Sequence, residues 1–256
     1  MIFNKLQKIL AEAGLGSRRS MEAKIREGTI TINGKIAQLG NRVSYEDKIA
    51  VNGKRLYFYQ NTVPNQPRII IYNKPAGQIC TKYDPKGRKS VFNALSKLFN
   101  KGRWVMVGRL DINTFGLLIF TTDGELANRL MHPSYGIERE YAVRVFGEVS
   151  SMQIKRLIDG VKLEDGMARF LSIHRLGGQS RNIWYHVILS EGRNREIRRM
   201  FQLLNLQVSR LIRVRYGDIR LPLHLNVGGY EELSLKLVNT TRTSVRLKIY
   251  DFPKDS

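Results

Sequence analysis

Apolar residues recur along this chain in two rhythms. Between residues 4 and 13, Leu6, Ile9, Leu10 and Ala13 fall on one helical face, with Lys5 and Lys8 on its flank. Gly14 and Gly16 close that helix, and Ser17 caps a second, which opens with Arg18-Arg19, turns Met21 and Ile25 inward and ends at Gly28. Two alternating runs follow, at 29–36 and 49–56. Each is centred on an Asn-Gly pair (Asn33-Gly34, Asn52-Gly53), whose tolerance of positive φ suits a tight hairpin. These elements predict a compact unit of two helices and short strands over residues 1–60. Residues 61–67, polar and holding Pro64 and Pro67, lose the pattern and read as a linker.

Over residues 68–256 the rhythm changes. An apolar run at 68–74 is stopped by Pro75 and Gly77, and strand-like runs recur at 104–107, 117–121, 140–146, 183–189 and 244–250. Helical patterns lie near 91–98, 124–131, 151–158 and 194–204. Strands and helices are interspersed without a regular βαβ alternation, which predicts an α+β domain built on a mainly antiparallel mixed sheet.

Charge narrows the class of partner. The chain carries 43 Lys+Arg against 22 Asp+Glu, a formal net charge of +21. Such an excess points to a polyanion, either nucleic acid or an anionic membrane surface. No basic amphipathic helix, lipidation signal or run of about eighteen apolar residues favours the membrane, and the start of the chain lacks a signal-peptide pattern, so a cytoplasmic protein is expected. The one cysteine, Cys80, and the scattered His132, His174, His186 and His224 have no metal-ligand spacing; neither a metal nor a cofactor is expected.

Three stretches carry candidate chemistry. In Gly108-Arg109-Leu110-Asp111-Ile112-Asn113-Thr114-Phe115-Gly116, one carboxylate sits in a short loop of a strongly basic chain. Asp111 reads either as a turn aspartate bonded to nearby amides or as a catalytic carboxylate held by a basic neighbour. Tyr141 opens a strand in which it alternates with Val143 and Val145. It suits the core, yet a phenol can also move a proton or stack on a base. In Glu191-Gly192-Arg193-Asn194-Arg195-Glu196-Ile197-Arg198-Arg199-Met200, arginines at helical spacing form either an RNA-facing stripe or, at one position, a partner for Asp111. Asp111 and Asp123 read together as paired carboxylates would instead suggest a glycosidase. No Gly-x-Gly-x-x-Gly after a strand supports a methyltransferase.

Residues 5–19 and the following Gly28-x-Ile30-x-Ile32-Asn33-Gly34-Lys35 resemble the S4 RNA-binding domain, implying an RNA-gripping face at Lys5, Lys8, Arg18 and Arg19. Arg109-Leu110-Asp111-x-x-Thr114-x-Gly116-Leu117-Leu118 with Thr121-Thr122-Asp123-Gly124 resembles the signature of the RsuA-like family of rRNA pseudouridine synthases. Lys74-Pro75-x-Gly77, Glu140-Tyr141 and the 191–200 stretch complete the set in order. The resemblance implies an S4 module followed by a larger synthase domain at 68–256, acting without cofactor as a monomeric isomerase. Asp111, Tyr141 and Arg198 would be catalytic, with Arg198 pairing the carboxylate. Arg109, Arg193, Arg195, Ile197 and Arg199 would contact RNA. Within the family the likeness is to the branch acting on 23S rRNA, at uridine 2605. Another rRNA site, or a non-catalytic S4-type assembly protein, stands as the alternative.

Overall fold

The computed structural model describes residues 3–44, 46–57, 66–99, 103–179 and 181–250. The chain forms two compact units, Met1–Asn65 and Gln66–Ser256. Of the expected linker, all but Gln66 and Pro67 lies outside the described residues.

The first unit contains β1 (Asn4–Lys5), α1 (Leu6–Glu12), α2 (Arg18–Arg26), β2 (Ile30–Ile32), β3 (Lys35–Ile36), β4 (Arg42–Val43), β5 (Ile49–Val51) and β6 (Lys54–Arg55). Leu6, Ile9 and Leu10 of α1 pack on Met21 and Ile25 of α2 and on Ile30, Val43 and Ile49 beneath. Ala13, expected inward, is exposed because α1 stops at Glu12 and Ala13 is its C-cap. Ser17 caps α2 as expected, its hydroxyl accepting from Ser20 N at 3.0 Å. Asn33-Gly34 and Asn52-Gly53 all adopt positive φ, which closes the β2–β3 and β5–β6 hairpins.

The second unit is organised on a nine-stranded sheet. In chain order it comprises β7 (Ile69–Lys74), α3 (Val91–Ala94), α4 (Ser96–Phe99), β8 (Val105–Val107), β9 (Phe115–Thr121), α5 (Gly124–Met131), β10 (Arg139–Phe146), α6 (Ser151–Asp159), β11 (Val161–Leu163), β12 (Gly166–Ala168), β13 (Ser172–Gln179), β14 (Asn182–Leu189), α7 (Glu196–Gln202), β15 (Gln207–Tyr216), β16 (Ile219–Arg220), β17 (Tyr230–Glu232) and α8 (Leu235–Ser244). The main path runs β13-β14-β10-β15-β9-β7-β17, with β16 on β15 and β8 on β9; β11 and β12 form a separate hairpin. Every pairing in the large sheet is antiparallel except β15–β9, where Ile212 lies beside Phe115 and Arg213 beside Gly116.

That parallel seam depends on a glycine. A Cβ on Gly116 would sit 2.3 Å from Arg213 O, and its φ of +97° lies in the region that favours glycine. From β13 to β7 the sheet is covered on one face by a core that includes Leu118, Phe120, Tyr141, Val143, Val187 and Phe201. On its other face a second core, of Ile71, Leu117, Ile119, Leu126 and Val238, gathers around β7, β8 and β9.

Three expectations change. The run at 244–250 is no strand: α8 ends at Ser244, Val245 plugs the second core, and the segment is tied back to the helix. Asn239 donates to Tyr250 O and accepts from Tyr250 N, while Arg242 Nε donates to Lys248 O, so side chains take the bonds a sheet would offer. The helical stretch near 91–98 breaks at Leu95 into α3 and α4. The helix expected from 194 starts at Glu196, because Arg195 adopts a left-handed φ of 47°.

Candidate active site

The loop that carries Asp111 is fixed from below and from one side. Lys74, the last residue of β7, is 0% exposed, and its Nζ donates to Pro75 O at 2.9 Å, Asp111 O at 3.2 Å and Thr114 O at 2.9 Å. Thr114 N donates to Asp111 O at 3.0 Å, closing the turn. Burial draws the Lys74 ammonium below its usual value, and Asp111 is among the groups that oppose this. From the side, Arg198 of α7 donates through Nη2 to Asn113 O at 3.1 Å and through Nη1 to Val208 O at 2.9 Å. One guanidinium thereby joins the loop, α7 and β15.

Asp111 opens into a cleft of about 1180 Å³, enough for a nucleotide with its neighbouring phosphates. Tyr141 and Ile197, both largely buried, line the same cleft, and so do Arg109, Arg193 and Arg195. Arg109 is exposed, as is Arg195, whose position outside α7 follows from its left-handed backbone.

The expected direct pairing of Asp111 with Arg198 is not formed. Among the described residues the Asp111 carboxylate has no ion pair, because Arg198 directs its terminal nitrogens to two carbonyls. Burial, then neighbouring Arg195, lowers the Arg198 guanidinium from its ordinary value, and Asp111 opposes that shift, so the two charges still feel one another. Arg193 binds Asp165, Glu191 and Glu196, with its Nη1 3.0 Å from Asp165 Oδ1; Arg199 reaches the other Asp165 oxygen at 2.8 Å. Those bonds staple the β11–β12 hairpin to the start of α7. Glu196 is buried, which raises its carboxyl above the usual range, and the Arg193 backbone N–H and guanidinium work against that rise. In the first unit, Lys5, Arg18 and Arg19 are exposed, while Lys8 bonds Asn4 Oδ1 at 3.2 Å and lies 3.9 Å from Glu12.

Asp123 takes no part in the cleft. Its carboxylate caps α5, accepting from Glu125 N at 2.9 Å and Leu126 N at 3.0 Å, and pairs with Arg242. The glycosidase reading thereby lacks its second carboxylate against Asp111. Among the described residues no cluster of three or more His, Cys, Asp or Glu has metal-holding geometry.

Sequence reasoning missed a cationic floor. Arg213 on β15 is 2% exposed and lines the cleft; its Nε donates to Leu117 O at 2.7 Å, and its Nη2 has no partner among the described residues. Tyr216 lies between Arg213 and Arg139, whose guanidinium carbons stand 5.1 and 4.8 Å from its ring centre. Arg139 also donates to the Tyr216 hydroxyl at 2.9 Å, which in turn donates to Leu130 O at 2.8 Å. The run 208–218 lacks the clean alternation that marks a strand, because β15 carries two register shifts against β10.

Residues 68–203 match the family described as RNA pseudouridylate synthase, and residues 5–49 match the S4 domain. Ribosomal large subunit pseudouridine synthase B of Yersinia pestis is 55% identical over 247 residues, covering 96% of this chain and 77% of the relative. The protein of the same name from Escherichia coli (strain K12) is 54% identical over 245 residues, covering 95% and 84%. A solved structure described as a pseudouridylate synthase superposes with a TM-score of 0.64 at 25% identity, covering 93% of this chain and 99% of that one.

Proposed function

The chain belongs to the RNA pseudouridylate synthase family and carries an S4 domain, and we propose that it converts one uridine of 23S rRNA, at position 2605, to pseudouridine. The reaction conserves every atom of the nucleotide. The N1–C1′ bond breaks, the uracil turns, C5 bonds to C1′, the C5 hydrogen leaves as a proton, and N1 acquires one. A uridine inside folded RNA must first leave its stack, at a cost of a few kcal/mol.

The observation that carries this reading is the placement of Asp111 and Tyr141 on one cleft, with the Asp111 loop held by Lys74 and Arg198. Asp111 acts as the ionised carboxylate, either attacking the nucleotide or removing a sugar proton. Tyr141 stacks near the uracil and takes the C5 proton, Ile197 packs beneath the base, and Arg109, exposed at the rim, fills the space the base vacates. Arg198 acts by positioning: it holds the loop through Asn113 O and ties it to β15 through Val208 O. The S4 face at Lys5, Arg18 and Arg19 grips phosphates without choosing a base.

The test is turnover of purified full-length chain on a 23S rRNA transcript, followed by mapping of pseudouridine. One modified uridine, at 2605, is expected. Modification elsewhere would overturn the position, free uracil would indicate glycosidic hydrolysis, and tight binding without product would leave a non-catalytic assembly protein.

A further inference from the structure

The half of the large sheet made by β13, β14, β10 and β15 is packed on one face only. Tyr141, Val143, Val145, Tyr185, Val187 and Leu211 point into the first core, whereas the second core gathers at the β7–β9 end and takes from these four strands only Tyr216, the last residue of β15. The face left open carries three arginine–aromatic pairs. Arg210 lies over Phe115 at 4.7 Å, Arg144 over Trp184 at 5.8 Å, and Arg181 over Phe146 at 5.8 Å. The register puts them on one surface: Ile212 is level with Phe115, Arg210 with Arg144, and Arg144 with Trp184. Arg144 is further held by Ser209, whose hydroxyl accepts from Arg144 Nε at 3.0 Å.

Charge selects the occupant. Among the described residues of these strands, Glu140 is the only carboxylate on this face; it sits at one end, already engaged by Arg215 and by Arg220 at 3.2 Å. No carboxylate of these strands competes for the three pairs. Outside the pair it faces, Trp184 has Gly177 as its β13 partner, and nothing lies within 4 Å of where a Cβ of that glycine would stand, so the ring's flank is open. Phe146 is 47% exposed. Rings on a sheet flanked by guanidinium groups suit unpaired bases joined by phosphates, and the three strand steps from β9 to β14 span about 14 Å, room for two or three nucleotides.

We propose that this face is a second RNA-binding platform, on the side of the sheet opposite the Asp111 cleft, which holds an unpaired segment of the substrate RNA beyond the folded element that contains the target uridine. The proposal rests on the reading of RNA as substrate. Because the sheet separates the platform from the cleft, its role is affinity and register on long RNA and not the chemistry.

The test compares full-length wild type with Arg144→Gln/Arg181→Gln/Arg210→Gln and, as a milder change at exposed positions, Phe146→Ser/Arg181→Gln. Two RNAs are used: a short stem-loop containing the target uridine, and a longer 23S fragment with its flanking single strands. On the long fragment the triple variant should bind about tenfold more weakly, with the slope of log K against log salt reduced by about 0.7 for each phosphate no longer neutralised. Turnover on the short stem-loop should stay at the wild-type level, which also reports that the variants are folded. Unchanged affinity for the long fragment in both variants would overturn the platform and leave the face to a protein. Equal weakening on both RNAs would overturn it too, placing the effect at the cleft. If wild type modifies neither RNA, the functional reading fails, and the affinity comparison still decides the platform.

Discussion

Lys74 and Asp111 are joined through backbone and not through charge: the buried ammonium donates to the Asp111 carbonyl oxygen at 3.2 Å and leaves the carboxylate free to face the cleft. A direct ion pair would have occupied the carboxylate oxygens to which we assign the chemistry. Replacing Lys74 by Met should leave the carbonyls of Pro75, Asp111 and Thr114 without this donor and cost about 2–4 kcal/mol of stability, read as a lowered urea midpoint. Turnover should fall further than affinity, since the loop loses its floor.

Asp111→Asn preserves shape and removes charge. It should abolish pseudouridine formation while RNA affinity stays within about threefold, measured by filter binding beside a turnover assay. Retained turnover would refute the assignment of the carboxylate.

Arg198→Lys keeps a cation near Asp111 but cannot span Asn113 O and Val208 O together. We expect kcat to drop about a hundredfold with little change in KM, the pattern of a group that positions the reacting carboxylate.

Gly116→Ala tests the parallel seam. The added methyl meets Arg213 backbone at 2.3 Å, where no flexible end can move aside, and the residue would hold a strained positive φ. A loss of about 3 kcal/mol or more is expected by denaturant unfolding, together with loss of activity.

Glu196 gives a pH signature. Its native carboxyl titrates above the ordinary value of 4.5, so over that interval the folded chain holds a proton the unfolded chain has released. Stability should therefore decrease as pH rises from about 4.5 through the native value, and the decrease should vanish in Glu196→Gln. Urea midpoints collected across that interval decide it.

What the sequence made legible was local. The Asn-Gly hairpins, the Ser17 cap and the helical face of Leu6, Ile9 and Leu10 depend on residues a few positions apart, and they formed as expected. The loop around Asp111 was visible because a lone acid in a basic chain stands out. Lys74 was legible as part of a motif but not as a buried donor, since its acceptor at Thr114 is 40 residues away. Arg213 was one arginine among several, and its bond to Leu117 O spans 96 residues. Conversely, the apolar content at 244–250 suggested a strand, yet Asn239 and Arg242 captured its backbone first.

The β9–β15 seam has a consequence for how the Asp111 loop is completed. Gly116 pairs on one side with Lys74 of β7, but on the other side Phe115 and Gly116 meet Ile212 and Arg213, far along the chain, and Arg198 reaches Asn113 only once α7 is formed. Without β15 in place the Asp111 loop lacks Arg213, its cationic floor, and Arg198 lacks its second anchor at Val208 O. The shape of the Asp111 loop is therefore a tertiary property, complete only when β15 has docked on β9.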